Sequence, residues 1–257
     1  MTTTYSSQHN DSNPWKGLNF YLEGETIYGR DNEIQSLAQY IINNTQTVLY
    51  GKSGIGKSSI LNAGVFPKAR REGLFPIPIR LKHDRGASYL AQIRVAFESS
   101  GIGIREVVPV IDANRETLWE YLHRHTFYDA RTQTDVRPLV VFDQFEEIFT
   151  LQHDENKKRA FFSELADLLN DVTPQYVIDA ANNRASNAKS KKGPAASSGF
   201  VLDFGAAADE QADDYVASSQ FNLVFSIRED FLSYLERYTT YIPVMKSNRY
   251  GLLPLNE

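Results

Sequence analysis

Residues Thr47 to Ser58 read TVLYGKSGIGKS, and this stretch decides the fold. The apolar strand pattern of Thr47 to Tyr50 leads directly into Gly51, and a Gly-Lys-Ser triplet follows after four intervening residues. A strand, a glycine-rich loop of this spacing and a following helix together aim backbone N–H groups at phosphates. The stretch therefore predicts a phosphate-binding loop of the Walker A pattern within an α/β fold.

Each residue type in the loop suits a chemical task. The glycines let the backbone approach an anion without a Cβ clash. Lys57 is expected to reach the β- and γ-phosphates of a nucleotide, and the Ser58 hydroxyl is expected to ligate Mg²⁺. The predicted helix from Ser58 to Phe66 would point its positive N-terminal end at the same phosphates. The candidate nucleotide-contacting residues of this region are Gly51, Ser53, Gly54, Ile55, Gly56, Lys57, Ser58 and Ser59.

A second ligand for Mg²⁺ is expected at the end of a neighbouring strand. Leu139 to Phe142 is entirely apolar, which is typical of a strand covered on both faces, and Asp143 follows it directly. Asp143 is therefore the predicted metal-side acid, acting through a water molecule. Glu146 and Glu147 are both candidates for the base that activates the attacking water, and the sequence does not choose between them. The alternative is that both are acids at a helix N-terminus, favoured by the helix dipole.

Two arginines are further candidates. Arg228 ends the predicted strand Phe221 to Ile227, where its charge would meet the γ-phosphate and distinguish ATP from ADP. A surface ion pair with Glu229 or Asp230 is the alternative for Arg228. Arg30 precedes the first predicted helix and could touch the nucleotide, although an arginine beside a helix start is common.

Strand and helix patterns alternate through most of the chain. Apolar residues recur at helical spacing from Asp31 to Ile42, for example, and leave one face to be buried. The alternation predicts a three-layer α/β fold, a P-loop NTPase core with a mainly parallel sheet flanked by helices. The other predicted elements are strand Phe75 to Leu81 and helices Ala87 to Glu98, Arg115 to His125 and Asn156 to Asn170.

Composition divides the chain into a tail, a domain and an insertion. Residues 1–12 are small and polar, which predicts a disordered tail, and residues 13–257 form the predicted NTPase domain. Residues 173–220 are rich in Ala, Ser, Asn, Asp and Gly, which predicts a flexible insertion. Within the insertion, residues 200–204 could form a short strand.

Bulk properties narrow the functional classes. A net charge of −5 argues against a protein built mainly to coat nucleic acid or an anionic membrane. The absence of cysteine excludes disulfides and thiolate metal sites, and the N-terminus lacks a signal-peptide layout. We expect a cytoplasmic protein without a membrane partner. His123 and His125, two residues apart on a predicted helix, would diverge and could not easily share a metal ion.

Five motifs resemble the STAND NTPases of the AAA+-related branch, and most closely the prokaryotic novel STAND NTPase group. They are NPWKGL at residues 13–18, YGR at 28–30, GKSGIGKSSILNAGVFP at 51–67, VVFDQFEEIFTL at 140–151 and SIREDF at 226–231. The resemblance covers about residues 13–255 apart from the insertion, and DQFEE is its most distinctive part.

The resemblance implies a molecular switch that holds ADP at rest and ATP when active, with slow hydrolysis resetting it. It also implies a role in signal transduction, often in defence against phage, and self-association or a partner protein on activation. Arg228 would be the γ-phosphate sensor. A helical lid, a winged-helix part and sensor repeats would follow Leu252 to Glu257 in the family, and we expect this chain to lack them.

Two other functions remain open. The same loop could bind ATP without hydrolysing it and only stabilise a protein interface, or the chain could be a DNA-associated AAA+-type ATPase with a basic stripe on its surface. A GTPase is disfavoured because the residues after Asp143 lack the expected glycine, and a small-molecule kinase because no arginine-rich lid is evident.

Overall fold

Seven strands appear in the computed structural model, which describes residues 20–82, 87–150, 154–180, 183, 221–238 and 241–254. They are β1 (Gln46–Gly51), β2 (Leu74–Ile79), β3 (Ile102–Glu106), β4 (His125–Asp129), β5 (Arg137–Phe142), β6 (Asn222–Arg228) and β7 (Arg249–Gly251). Five of them form one parallel sheet in the order β2-β5-β6-β1-β7. β1, which leads into the glycine-rich loop, therefore lies inside the sheet.

Helices cover both faces of this sheet. They are α1 (Asp31–Asn43), α2 (57–71), α3 (Tyr89–Ser99), α4 (Leu118–His123), α5 (Glu147–Thr150), α6 (Glu155–Leu169), α7 (175–180), α8 (Leu232–Glu236) and α9 (Val244–Ser247). The helix α2 joins an α-helical turn Lys57–Ser59, a π-helical segment Ile60–Val65 and an α-helical segment Phe66–Arg71. A 3₁₀ turn, Glu229–Phe231, precedes α8.

The two faces of the sheet bury separate apolar clusters. Leu49, Leu139 and Val141 pack with α1 and α2 on one side, whereas Val48 and Val140 pack with α3, α4 and α6 on the other. Successive residues of a strand point to opposite faces, so a strand covered on both sides needs a continuous apolar run. The predicted fold class, a mainly parallel sheet flanked by helices, is confirmed.

The structure differs from the sequence prediction around residue 125. The predicted helix Arg115 to His125 begins later, at Leu118, and ends at His123 because the chain turns there into β4. β4 pairs antiparallel with β3, and Val107 N and Val108 N donate to the Arg124 carbonyl, 2.9 and 3.2 Å away. This pair of strands was not predicted, since a distant partner outweighs the local helical pattern.

Part of the predicted insertion belongs to the folded domain. Residues 175–180 form α7, where Val177 is buried and the Tyr176 hydroxyl donates to Glu120 Oε2 at 2.8 Å. The predicted tail 1–12 and the candidate strand 200–204 lie outside the described residues. No helix in the described ranges is long and apolar enough to cross a membrane.

The outer strand β2 carries two prolines, Pro76 and Pro78. Arg137 N donates to Gly73 O and Asp143 N donates to Ile79 O, so the odd-numbered residues of β2 face β5 with their hydrogen-bonding groups. Successive residues of a strand direct their backbone hydrogen-bonding groups to opposite edges, so the ring nitrogens of the two prolines lie on the open edge of β2. A free N–H at this edge could pair with a strand of another molecule, and proline has none. The same bonds fix Asp143 at the carboxyl end of β5.

Candidate nucleotide-binding site

Three predicted site regions meet at the carboxyl edge of the sheet. Gly51 at the end of β1 pairs in register with Arg228 at the end of β6, and Asp143 follows β5, the next strand in the sheet. Parallel strands that end at one edge bring together residues far apart in sequence. The phosphate-loop motif, the strand-end acid and the strand-end arginine therefore lie side by side.

The loop needs glycine for two different reasons. Gly54 and Gly56 have φ angles of 74° and 95°, in the left-handed region that favours glycine. At Gly51 the requirement is space, because an added Cβ would lie 2.8 Å from the carbonyl oxygen of Leu252. The loop is thus defined by its own backbone conformation and by the segment after β7.

Lys57 is folded back over the loop. Its Nζ donates to the carbonyl oxygens of Gly51 and Lys52, at 2.9 and 3.1 Å, and the residue is only 9% exposed. Burial lowers the pKa of Lys57, while the carboxylates of Glu146 and Asp143 act in the opposite direction. The ammonium group therefore lies at the centre of the loop with acids nearby.

Ser58 and Asp143 are in direct contact. The Ser58 hydroxyl donates to Asp143 Oδ2 at 2.6 Å, and Asp143 Oδ1 accepts from the backbone N–H of Gln144 at 3.0 Å. A cavity of about 580 Å³ opens beside this pair and is lined by both residues. Mg²⁺ in NTPase sites prefers oxygen ligands and takes few of them from protein, the rest coming from phosphate and water. A hydroxyl and a carboxylate side by side fit that donor set.

The two candidate glutamates lie in different places. Glu146 is 9% exposed, and its Oε2 accepts from the backbone N–H of Arg228 at 3.3 Å. Burial raises the pKa of Glu146, while the charges of Lys57 and Arg228 lower it. Glu146 is therefore within the group that contains Lys57 and Arg228.

Glu147 instead pairs with Arg80, the residue that follows β2. Arg80 Nε donates to Glu147 Oε2 at 2.9 Å and Arg80 Nη2 donates to Oε1, and this bonding raises the pKa of the guanidinium. Arg80 was not predicted as a site residue, because it was included in the predicted strand Phe75 to Leu81. The sequence offered one signal for Arg80: a charged residue directly after an apolar strand lies at the edge of the sheet where the site forms.

Arg228 is turned toward the chain that follows it. Its Nε and Nη2 donate to the two carboxylate oxygens of Asp230, at 3.1 and 2.6 Å, and its guanidinium lies over the ring of Phe231. The ion pair considered as an alternative for Arg228 is thus present. Its charge still influences the site, since it lowers the pKa of Lys57 and of Glu146.

Arg30 is hydrogen-bonded to the backbone of the loop. It is buried, and its Nη1 and Nη2 donate to the carbonyl oxygens of Leu253 and Ile55 at 2.8 and 3.3 Å. These bonds connect the start of α1 to the loop and to the segment after β7, and the predicted nucleotide contact of Arg30 stays a prediction. Ser59, also a predicted nucleotide contact, accepts the Tyr21 backbone N–H at 3.2 Å through its hydroxyl.

The solved structures similar to this chain are larger proteins. The Aeropyrum pernix ORC2 protein in its ADPNP-ADP complexes is 13% identical, with a TM-score of 0.42 over 91% of this chain and 49% of its own. A Walker-type ATPase of Pyrococcus abyssi is 14% identical, with a TM-score of 0.45 over 94% of this chain and 58% of its own. The chain thus spans about half the length of these proteins, and no curated protein matches it.

A family comparison identifies the chain. The model described as Novel STAND NTPase 1 matches residues 14–257, which include the glycine-rich loop, Asp143, both glutamates and Arg228. The match extends over nearly the whole chain. The protein therefore belongs to the Novel STAND NTPase 1 family of NTPases.

Proposed function

We propose that this chain is the nucleotide-switch module of a STAND-type signalling protein, which binds ATP and ADP with Mg²⁺ and resets by slow hydrolysis. The observation that carries the proposal is the 2.6 Å bond between Ser58 and Asp143, which are 85 residues apart in sequence. This bond joins the loop to the strand-end acid beside Lys57. It brings together the two groups that a Mg²⁺-nucleotide site requires.

The side chains have distinct roles in this proposal. Lys57 would exchange its carbonyl partners for the β- and γ-phosphates. Ser58 and Asp143 would hold Mg²⁺, whose charge would offset that of the phosphate oxygens. Glu146 accepts the proton of the attacking water, and Arg228 contacts the γ-phosphate. Only γ-phosphate contacts differ between the ATP and ADP states, so these contacts must supply the free energy of switching.

The resemblance to the family further suggests that the chain self-associates when ATP is bound and that it takes part in defence.

The test is calorimetric titration of the chain with ATP, ADP and GTP in Mg²⁺. We expect adenine nucleotides to bind, and Lys57→Ala to weaken ATP about a hundredfold, since two charge-assisted bonds to phosphate are lost. Lys52→Ala is the matched control, because Lys52 is an exposed lysine of the same loop. Unchanged ATP affinity in Lys57→Ala, with the fold verified by circular dichroism, would refute the site.

A non-hydrolysing interaction module is the second candidate. It is favoured by the pairing of Glu147 with Arg80, because this ion pair occupies one of the two candidate bases. Phosphate release in a single turnover separates the two functions. Binding of ATP without release would support the interaction module.

A further inference from the structure

We infer that Asp230 sets the preference between ATP and ADP by competing with the γ-phosphate for Arg228. This inference rests on the proposed function, because it concerns the same nucleotide site. It assigns a specificity-determining role to a residue outside the loop, the strand-end acid and the predicted sensor.

The backbone of Arg228 is already at the site. Arg228 pairs in register with Gly51, the first residue of the loop, and its N–H donates to Glu146. The side chain, however, follows the 3₁₀ turn Glu229–Phe231 and ends on Asp230. Backbone position and guanidinium position are thus set by different parts of the chain.

The contact occupies one of the two edges through which a guanidinium binds phosphate. Nε and Nη2 donate in parallel to the two oxygens of one carboxylate, at 3.1 and 2.6 Å. Phosphate and carboxylate accept from this fork in the same two-bond geometry. A phosphate that binds Arg228 through Nε and Nη2 must therefore displace Asp230.

The surroundings favour an exchangeable pair. The Arg228 and Asp230 side chains are 41% and 52% exposed, and the guanidinium centre lies 5.3 Å from the Phe231 ring centroid. Solvent screens an ion pair of this exposure, so its net stabilisation is small and a more highly charged phosphate can replace the carboxylate. Phe231 packs against the guanidinium but provides no acceptor for its donors.

The consequence differs between the two nucleotides. ATP that binds Arg228 through Nε and Nη2 must break the Arg228–Asp230 pair, whereas ADP lacks the γ-phosphate and leaves the pair intact. Asp230 therefore weakens ATP binding selectively and shifts the resting protein toward ADP. It acts as a positioning residue, through Arg228 and without touching the nucleotide.

The experiment is to measure the dissociation constants of Mg²⁺-ATP and Mg²⁺-ADP for the unmodified chain, Asp230→Asn and Glu229→Gln. We define the ATP preference as the dissociation constant of Mg²⁺-ADP divided by that of Mg²⁺-ATP. Asp230→Asn should raise this ratio by about two- to fivefold, because an exposed ion pair contributes little net free energy. Glu229→Gln removes the same charge one residue away, and Glu229 forms no ion pair with any residue that the structure describes. Removing a nearby negative charge favours the more highly charged Mg²⁺-ATP in either variant, and Glu229→Gln measures that general effect. Asp230→Asn should raise the ratio more than Glu229→Gln does, because only Asp230 pairs with Arg228.

A second pair of variants tests whether Asp230 acts through Arg228. When introduced into Arg228→Ala, Asp230→Asn should change the ratio no more than Glu229→Gln does. If Asp230→Asn misfolds, Asp230→Ser provides the same test. A ratio raised no more than in Glu229→Gln, or weaker ATP binding in a folded variant, would overturn the inference while leaving the proposed function intact. Failure of the unmodified chain to bind either nucleotide would overturn both.

Discussion

Several residues predicted to contact Mg²⁺-nucleotide have partners within the protein. Lys57 donates to two loop carbonyls, Ser58 to Asp143, and Arg228 to Asp230. Nucleotide binding, as proposed for this site, would therefore be an exchange of polar partners, and exchanged hydrogen bonds contribute little net free energy. At these side chains, the difference in affinity between ATP and ADP should then follow from the difference in charge between the two nucleotides.

The first residue-scale prediction concerns the base. Glu146→Gln should lower the hydrolysis rate by about two to four orders of magnitude while nucleotide binding is retained, since the amide cannot accept the proton. Glu147→Gln is the matched control and should have the smaller effect, because Glu147 is paired with Arg80. Phosphate release under saturating ATP measures both variants, and a larger loss in Glu147→Gln would reverse the assignment.

The same assignment fixes the sign of the pH dependence. Burial raises the pKa of Glu146, and only its carboxylate form can act as a base. The hydrolysis rate should therefore rise as the pH passes upward through this raised pKa and then level off. A rate profile that is the same for the unmodified chain and Glu146→Gln would argue against the role.

At the scale of elements, the helix after the loop is held close to α1. Gly64, in the π-helical segment of α2, is buried against Ile34, and an added Cβ would lie 2.6 Å from Ile34 Cγ1. The close approach leaves no room for a methyl group at residue 64. Since α2 begins at Lys57, the packing of α1 on α2 helps to position the residues of the loop.

Gly64→Ala should therefore lower the free energy of unfolding by about 1–3 kcal/mol, as overpacked cores do. Urea unfolding followed by circular dichroism measures the change. Adding Ile34→Ala should relieve part of the strain, so the loss in the double variant should be less than the sum of the two single losses. Strict additivity would show that the two residues do not press on each other.

At the scale of the whole molecule, Arg30 connects distant parts of the chain. Its two bonds join the start of α1 to Ile55 in the loop and to Leu253, which is 223 residues away in sequence. Leu252 N also donates to Tyr50 O at 2.8 Å, so the segment after β7 is bound to β1 next to the loop. The geometry of the loop thus depends on the last part of the described chain.

We predict that Arg30→Ala lowers the free energy of unfolding by about 2 kcal/mol and also weakens nucleotide binding, because the charge-assisted bonds to both segments are lost. Thermal unfolding with and without Mg²⁺-ADP reports both effects. Arg71→Ala is the control, since Arg71 is an exposed arginine of α2. Equal behaviour of the two variants would mean that Arg30 does not hold the loop.

The sequence by itself determined the loop and the fold class. A glycine spacing and a strand-loop-helix pattern are local properties, and apolar runs such as Leu139 to Phe142 predict burial on both faces whatever the order of the strands. Only the tertiary structure decided that β3 pairs with β4, that Glu147 lies with Arg80, 67 residues away, and that Arg30 bonds to the loop at Ile55. These features depend on contacts between distant residues and on side-chain directions after turns, such as the one at Gln144 with its φ of 54°. No local pattern encodes them.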